Sequence, residues 1–434
     1  MATTQNDLPF RYRYFQPPNN PYGPGSIWPP NQAVVSYTGP ETTALLDAFG
    51  RLRVSNPFTL FDSSYRYKDN DKYNAAFTGS ATGAINSSTS IYEMSVSSPS
   101  SSILRESKLV FPYQPGKSLE IFCSFVGSDN SYTQSFPNSL YQAIGFYSEL
   151  NGIYVSIEDG VVYMNIKNNG SVDRVAQNNW NTDRLNGTGP SGYTLDITKA
   201  QIFYCDLEWL GVGTVNVGFI INSNFIVVHK FYHANIITST YMTTATLPIR
   251  YEIRAGASYN GGTSTFKQIC ATVISEGGYQ GISTKKFLTN ATGTNGVGPI
   301  VTALASIRMV PTRLDSIVLP AQTDVFLTTS GNMQYRLIKN GTLNTPNWVN
   351  YNLATSNVQY DLSSTRVTGG EVIDSNFVSS SSSVKSVLTE QGIDEFSYQL
   401  GRQSIGVSDT LTLAAISYGG TEQVSFNFAW YELN

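Results

Sequence analysis

The stretch NGIYVSIEDGVVYMNI, residues 151–166, carries the clearest fold signal in the chain. Two runs rich in Val, Ile and Tyr, Gly152 to Ile157 and Val161 to Ile166, flank the triplet Glu158-Asp159-Gly160. β-Branched and aromatic residues favour strands, and Asp-Gly between two such runs is typical of a hairpin turn. The stretch therefore predicts a β-hairpin, and the rest of the chain repeats its pattern.

Short runs of similar composition continue on both sides of this hairpin, and Asn222-Ser223-Asn224 provides a second turn signal. Helical periodicity is nearly absent, and short strands at this spacing predict an all-β sandwich protein. The predicted strands cover residues 118–126, 143–147, 201–209, 214–221, 225–231, 315–320, 325–329, 333–339, 384–388, 410–416 and 423–432.

Composition divides the chain into four parts. Residues 1–45 hold eight prolines, a density that blocks helices and central strands, so they predict an extended docking arm. Residues 46–282 predict the larger, jelly-roll-like β-sandwich domain. Residues 283–305, with the glycine-rich GTNGVG, predict a linker, and residues 306–434 predict a smaller β-sandwich domain.

Six separated blocks of the chain stand out: DAFGRLRVSNPFTLFD at 47–62, SSYRY at 63–67, YQPGK at 113–117, LNGTGPSG at 185–192, FYHAN at 231–235 and VISEGGY at 273–279. We call them the viral blocks, because they resemble structural proteins of tailed phages, especially marine phages and cyanophages, and of some large DNA viruses. In that family a similar "AFGRLRVSNPFTLFDS" opens the globular part. The order of elements around residues 152–231 also resembles a concanavalin-type jelly roll.

The resemblance implies a virion structural protein, a capsid- or tail-associated surface, fibre or decoration component that docks through its N-terminal arm. The alternative is a carbohydrate- or receptor-binding adhesin module of a tail or head fibre, with a host-surface glycan as partner. Fibres and capsid knobs of this kind are commonly trimeric, so the resemblance implies a homotrimer. It also implies a protein that resides in the virion after assembly in the host cytoplasm.

The arm combines aromatic and basic side chains without enough apolar residues for a core of its own. In an extended strand the FRYRY run presents rings on one side and guanidinium groups on the other. The alternatives are a docking arm laid on a neighbouring subunit and a tail with incidental aromatics. The docking residues predicted from it are Phe10, Arg11, Tyr12, Arg13, Tyr14, Phe15 and Trp28.

Arg51 and Arg53 alternate with Leu52 and Val54, so on a strand both arginines share one face. Few acidic residues are close to them in sequence. We therefore expect the two arginines to bridge to carboxylates or carbonyls of an adjacent subunit rather than to nucleic acid.

Charge and cysteine usage restrict the partners. The net charge of −4 disfavours nucleic-acid binding, and only 13% of residues are charged, against about 25% in an ordinary domain. The first ten residues lack a signal-peptide pattern, and no apolar stretch reaches transmembrane length, so we expect no membrane insertion. Cys123, Cys205 and Cys270 are odd in number and lie in apolar runs, which predicts buried free thiols.

Two groups of residues suggest chemistry, but neither completes a catalytic motif. Asp206 and Glu208 share one strand face, as paired carboxylates of jelly-roll glycosidases do, yet the first carboxylate of that motif is replaced by Tyr204. A polar stripe facing outward is the alternative. His229 and His233 lack the HExxH pattern of zinc proteases, so structural histidines are expected. We therefore predict no enzyme, no cofactor and no metal centre.

Two further groups could bind a ligand. Asp69-Asn70-Asp71 and Asp129-Asn130 are oxygen-rich loops that could hold an ion, although they lack EF-hand spacing. Trp180 lies among Asn178, Asn179 and Asn181, so Trp180 and Asn179 are the candidate glycan contacts. A tryptophan that anchors a turn is the alternative explanation.

Overall fold

The structure is a computed structural model that describes residues 57–128, 139–278, 283–290, 295–379, 383–387 and 398–433. The all-β prediction is confirmed, because strands arranged in sandwich-like sheets make up the described part of the chain, with one short 3-10 helix at Gln177–Asn179. None of the helical structure described there is long and apolar enough to cross a membrane. The predicted arm lies outside the described residues.

The first half of the chain supplies fifteen strands. They are β1 (Pro57–Ser63), β2 (Tyr73–Thr78), β3 (Thr82–Asn86), β4 (Ile91–Val96), β5 (Ser102–Ser107), β6 (Ser118–Val126), β7 (Leu140–Tyr147), β8 (Gly152–Glu158), β9 (Val161–Asn168), β10 (Ser171–Ala176), β11 (Ala200–Leu207), β12 (Val215–Ile221), β13 (Asn224–Phe231), β14 (Ile249–Ala255) and β15 (Ser264–Glu276).

These strands form two antiparallel sheets that pack face to face. The eight-stranded sheet has the order β13-β12-β11-β6-β15-β4-β3, with β1 also paired to β15, and the seven-stranded sheet has the order β10-β9-β8-β7-β14-β5-β2. Alternate side chains of both sheets fill one core, for example Phe203 and Ile121 from one sheet and Phe146 and Ile153 from the other. We call this unit the first sandwich.

The second half supplies fifteen more strands. They are β16 (Ser283–Thr289), β17 (Asn295–Val297), β18 (Thr302–Met309), β19 (Ile317–Leu327), β20 (Asn332–Lys339), β21 (Thr342–Leu343), β22 (Val349–Asn350), β23 (Val358–Asp361), β24 (Val367–Thr368), β25 (Glu371–Ser379), β26 (Ser383–Val387), β27 (Arg402–Ser404), β28 (Val407–Ser408), β29 (Thr410–Ser417) and β30 (Glu422–Leu433).

The second sandwich consists of a five-stranded sheet, β16-β30-β19-β26 with β17 on β30, and a six-stranded sheet, β22-β23-β18-β29-β20-β25. Two small ribbons, β21-β24 and β27-β28, complete it. Its core contains Val318, Phe428 and Trp430 from the first of these sheets and Leu413 and Tyr335 from the second.

The stretch of residues 283–305, predicted as a linker, contains strands of the second sandwich. Residues Ser283–Thr289 form β16 and pair along β30 from Leu433 to Asn427, and β17 pairs with the same strand. Lys285 and Lys286 lie on β16, an edge strand of the five-stranded sheet, where charged residues oppose pairing with a further chain.

Both hairpin turns have the backbone that the sequence predicts. Asp159 and Gly160 have φ values of 48° and 84°, and Asn222 and Ser223 have φ values of 51° and 66°. Positive φ at both central positions is typical of tight hairpin turns whose twist matches that of the strands. These two turns lie at the same end of the first sandwich.

Candidate functional site

The arm residues predicted to dock lie outside the described residues, and so do Arg51 and Arg53. Their predicted roles, docking for the arm and an inter-subunit bridge for the two arginines, stay predictions. The first described residue is Pro57 in β1, which pairs with Glu276 of β15.

Trp180 packs inside the first sandwich instead of offering a ring to a glycan. Its side chain is 3% exposed, its indole N–H donates to the Val175 carbonyl at 3.1 Å, and its ring lies 6.4 Å from the Phe219 ring. The glycan contact predicted there is therefore corrected to a turn anchor, since a saccharide needs an exposed ring face. Asn179, beside it, is exposed at the surface.

Asp206 and Glu208 do not form a catalytic pair on one strand. β11 ends at Leu207, so only Asp206 lies on the strand, opposite Glu120 of β6. Asp206 accepts a hydrogen bond from the Asn216 amide at 3.3 Å, and both carboxylate residues are at most 1% exposed. Although Asp206 faces away from the sandwich core, its burial excludes the solvated polar stripe that the sequence suggested.

The two histidines take separate structural roles. His229 Nδ1 accepts the Asn181 backbone N–H at 3.2 Å, while His233 Nδ1 lies 2.7 Å from the Gly213 carbonyl and its ring stacks on Tyr241 at 4.0 Å. Burial lowers the pKa of both imidazoles. Among the residues that the structure describes, no three His, Cys, Asp or Glu side chains are grouped as metal ligands.

The Asp69 loop uses its carboxylate within the protein. Asp69 Oδ1 pairs with the guanidinium of Arg105, which is buried between the sheets, at 2.5 Å. The second oxygen-rich loop, Asp129-Asn130, lies outside the described residues. Of the three thiols, Cys123 and Cys205 are buried as predicted, but Cys270 is exposed, since a register shift between Gln268 and Cys270 interrupts the alternation of β15.

Parts of four of the six blocks of the viral resemblance meet at one end of the first sandwich, although they are far apart in sequence. β1 begins there at Pro57, β15 ends there at Glu276, and β6 begins there at Ser118, directly after the YQPGK block. β13 ends there at Phe231, where the FYHAN block begins. We call this the block end; the LNGTGPSG block lies at the opposite end.

Two loops at the block end expose apolar side chains. The backbone N–H of Tyr241 donates to the Gly211 carbonyl at 2.9 Å, which joins residues 208–214 to residues 232–241. Large apolar side chains exposed on two neighbouring loops are candidates for contact with a partner. We call these four residues the loop patch: Leu210 (51% exposed), Val212 (38%), Tyr232 (56%) and Ile236 (68%).

A cleft of about 590 Å³ lies between the block end and the second sandwich. Lys117, from the YQPGK block, lines it and donates to the Gln114 side-chain oxygen and to the Gly278 carbonyl, each at 3.1 Å. Burial lowers the pKa of Lys117. Asp315, from the second sandwich, lines the opposite wall.

A buried charge cluster joins the two sandwiches at the same end. Glu106 of the first sandwich pairs with Arg402 of the second at 2.5 Å and with Arg250 Nε at 2.7 Å. Arg402 also donates to the Ser107 carbonyl at 2.9 Å. All three charged residues are less than 9% exposed, and burial together with the nearby Arg250 lowers the pKa of Arg402.

The outer face of the seven-stranded sheet carries tyrosines paired with arginines. The Arg174 guanidinium lies 3.8 Å from the Tyr163 ring centre, and the Arg254 guanidinium lies 4.3 Å from that of Tyr141. Rings and charged groups side by side can stack on a polar partner and hydrogen-bond to it. We call these four residues the Tyr–Arg face.

Carboxylates and further rings extend the Tyr–Arg face. Glu158 accepts from Arg174 at 2.7 Å and from the Ser156 hydroxyl at 3.1 Å. Tyr147 and Tyr154 stack at 4.4 Å between the two Tyr–Arg pairs, and burial raises the pKa of Tyr154 to about 12. Sequence reasoning missed this face, because its tyrosines come from separate strands whose pairing was not predicted.

The comparisons with known proteins concern the fold. No family model and no curated protein matches the chain. Solved structures similar to it include an endo-1,3-beta-glucanase from Streptomyces sioyaensis, at 8% identity and a TM-score of 0.35 over 52% of this chain and 99% of that one. Basic winged bean lectin with Tn-antigen matches at 10% identity and 0.33, over 51% and 98%. A legume lectin-like domain from Entamoeba histolytica matches at 10% and 0.30, over 49% and 95%.

Proposed function

We propose that this chain is a structural protein of a virus particle that docks on another virion protein through the block end of its first sandwich. The observation that supports this most is the position of the viral-like blocks. Sequence stretches separated by up to about two hundred residues meet at the one end that also exposes the loop patch. Because the blocks that resemble the viral proteins lie beside exposed apolar side chains, we infer that they form a binding surface for a partner that those proteins also contact.

The loop patch gives such a contact a sufficient driving force. Fully burying a Val, Leu or Ile side chain contributes about 1.5–3 kcal/mol, so four side chains could contribute several kcal/mol before the cost of association. Tyr232 also brings a hydroxyl that can hydrogen-bond to the partner. The first described residue, Pro57, lies at the same end, and we expect the N-terminal arm to reinforce this contact.

Incorporation into particles tests the proposal. Leu210→Ser combined with Ile236→Ser should reduce the amount of the protein in purified particles at least tenfold. The matched control combines Val161→Ser and Phe377→Ser, which replace side chains of similar exposure, 42% and 66%, away from the block end. Equal incorporation of both double variants would reject the block end as the docking surface.

We further propose a homotrimer in the virion, assembled in the host cytoplasm, with the sandwich faces and arms as the contacts. The sequence has no heptad pattern for a coiled coil. Light scattering of the full-length protein should give three times the mass of one chain. A monomer at micromolar concentration would contradict self-association.

Glycan binding by the Tyr–Arg face is the second candidate function. Tyr141 and Tyr163 keep part of their surface exposed, and the arginines beside their rings could donate hydrogen bonds to sugar hydroxyls. A glycan array with the wild-type protein, followed by Tyr163→Ala and Tyr163→Phe variants, tests it. We expect the Ala variant to lose binding and the Phe variant to keep most of it; no binding by the wild type would reject this candidate.

A further inference from the structure

One of the viral blocks, LNGTGPSG at residues 185–192, lies at the end opposite the proposed docking surface, so docking does not account for it. The block belongs to a loop that is fixed by its own hydrogen bonds. The Gly187 N–H donates to the Tyr193 carbonyl at 2.9 Å, and the Leu195 N–H donates to the Leu185 carbonyl at 2.8 Å. A loop that is held in shape within its own chain can form one wall of a binding site before a ligand arrives.

A cavity of about 390 Å³ lies between this loop and the edge strand β13. The loop is tied to the strand, because the backbone N–H groups of Thr182 and Asp183 both donate to the Val228 carbonyl, at 3.1 and 3.2 Å. The volume lies within the range of about 300–1,000 Å³ that is typical of small-molecule sites. The walls of the cavity include Asp183, Ser191 and Tyr193 from the loop and Asn224, Phe225 and Val227 from the strand.

Two aromatic rings line the cavity, and neighbouring groups hold both of them. The Phe225 ring meets the Phe122 and Tyr204 rings edge-on, at 6.1 and 5.4 Å. The Tyr193 hydroxyl accepts the side-chain N–H of Asn222 at 3.3 Å. Phe225 and Tyr193 both keep part of their surface exposed. Rings that are already held in place can contact the C–H groups of a ligand at a low cost in side-chain entropy.

The loop side of the cavity is polar and negatively charged. Asp183 is 4% exposed, and its two carboxylate oxygens accept the Leu185 and Ser191 N–H groups at 2.8 and 2.7 Å. An ionised carboxylate can accept about four hydrogen bonds, so the carboxylate has capacity for a ligand as well. Ser191 Oγ accepts the Tyr193 N–H at 3.3 Å, and its hydroxyl proton can be donated to a ligand. In the described part of the chain, no Lys, Arg or His side chain lines this cavity.

These groups restrict the chemistry of a ligand. A phosphate or a carboxylate would meet the charge of Asp183 without a cation to compensate it. A purely apolar ligand would cover the carboxylate without giving it a hydrogen bond, which is costly. A neutral sugar avoids both costs, because its hydroxyl groups donate to a carboxylate and accept from a hydroxyl, while its C–H groups pack on aromatic rings.

We propose that this cavity binds one residue of a neutral saccharide. Asp183 and Ser191 form hydrogen bonds with its hydroxyl groups, and the rings of the cavity contact its C–H groups. The site is separate from the Tyr–Arg face, which lies on the seven-stranded sheet, whereas the cavity borders β13 of the eight-stranded sheet. It depends on neither of the proposed functions, since it uses residues of neither the loop patch nor the Tyr–Arg face.

Saturation-transfer NMR tests the site in a Tyr163→Ala background, in which the Tyr–Arg face lacks one of its rings. The probes are the methyl glycosides of glucose, galactose, mannose, N-acetylglucosamine and N-acetylgalactosamine, with glucuronic acid and choline as the anionic and cationic counterparts. We expect a signal from at least one neutral glycoside, strongest on the C–H groups of one face of its ring. No signal from any neutral glycoside, or a signal from a charged probe alone, would overturn the proposal.

Two further substitutions in this background locate the binding. Thr182→Trp adds a large ring at an exposed position on the cavity wall, and Asp183→Asn removes the charge while keeping the size of the side chain. Each should weaken the affinity for the glycoside by about tenfold or more, the scale of a lost hydrogen bond to a charged group. The matched control, Thr194→Trp, lies at an exposed position of the same loop outside the cavity and should keep the affinity. Unchanged affinity in the Thr182→Trp variant would place the binding elsewhere and reject the site.

Discussion

The two ends of the first sandwich are built in different ways. At the opposite end, β8 and β12 turn into β9 and β13 through tight hairpins with positive φ values, and the loop from residue 183 to 195 is fixed by one carboxylate. The block end also has a tight hairpin, at Asn169-Gly170, but there the loops of residues 208–214 and 232–241 expose apolar side chains and a second sandwich is attached. The opposite end only connects strands of the first sandwich, whereas the block end also contacts the second sandwich.

The loops at the two ends also differ in which groups form hydrogen bonds with their backbone N–H and carbonyl groups. Asp183 Oδ1 and Oδ2 accept the N–H groups of Leu185 and Ser191 at 2.8 and 2.7 Å, so the loop at the opposite end is complete within itself. At the block end, Ser107 and Lys108 use their carbonyl groups for Arg402 of the other sandwich. Loops that rely on remote partners are better placed to respond to a binding partner.

Glu106→Ala should cause the largest loss of stability, about 3–5 kcal/mol in the free energy of unfolding, because it leaves two buried guanidinium groups without their shared carboxylate. Urea unfolding measures it. The matched control is Glu158→Ala at the opposite end, which breaks a partly exposed pair with Arg174 and should cost about 0–1 kcal/mol. Equal losses would mean that the joint between the sandwiches is not stabilised by charge.

Asp183→Ala should cost less, roughly 2–3 kcal/mol, since two N–H groups lose an ionised acceptor. Gly189 packs so closely on Asp183 that a Cβ there would lie 2.1 Å from its carboxylate oxygen, so Gly189→Ala should also destabilise the loop. Both variants should keep normal incorporation into particles. Reduced incorporation at wild-type stability would place a contact at the opposite end as well.

The central strands of the first sandwich could be predicted from sequence because their composition is unambiguous. SLEIFCSFV alternates between the core and the outer face, and the strand has the predicted bounds, Ser118–Val126. β2 (YNAAFT) and β3 (TGAIN) were missed because small and polar residues dominate them, as is common at sheet edges. The sequence predicts a strand that ends at Pro320, yet β19 continues through it, because a register shift directly after Pro320 tolerates the missing N–H of proline.

The candidate site was less predictable than the fold. The viral-like blocks were visible in the sequence, but their meeting at one end depends on which strands pair, and pairing over more than two hundred residues leaves no local signal. Trp180 was predicted to be exposed because asparagines surround it in the sequence. In the structure it is buried, and its indole N–H donates to the Val175 carbonyl. Whether a tryptophan side chain is buried depends on the tertiary packing around it, and its neighbours in sequence do not reveal that packing.

The buried histidines predict a smaller, pH-dependent effect. Burial lowers the pKa of His229 and His233 in the folded state below the usual value of about 6.5 in the unfolded chain. Their contribution is therefore complete above that value and is lost as the pH falls through it toward the folded pKa, because the unfolded state binds the protons first. Tm measured from pH 7.5 to 5 should fall, and His233→Gln should weaken the dependence if the variant stays folded.

Substitutions in the loop patch should have the smallest effect on the free energy of unfolding, although they should strongly reduce incorporation into particles. Leu210 and Ile236 are at least half exposed, so Leu210→Ser with Ile236→Ser should change the free energy of unfolding by less than about 0.5 kcal/mol. The mass of the isolated protein in light scattering should also stay unchanged, because the patch is proposed to contact another virion protein rather than a second copy.

A lower mass for this variant would assign the patch to self-association, and a large loss of stability would assign it to the fold. Unchanged stability and mass, together with lost incorporation, would identify the block end as the part of the molecule that contacts the particle.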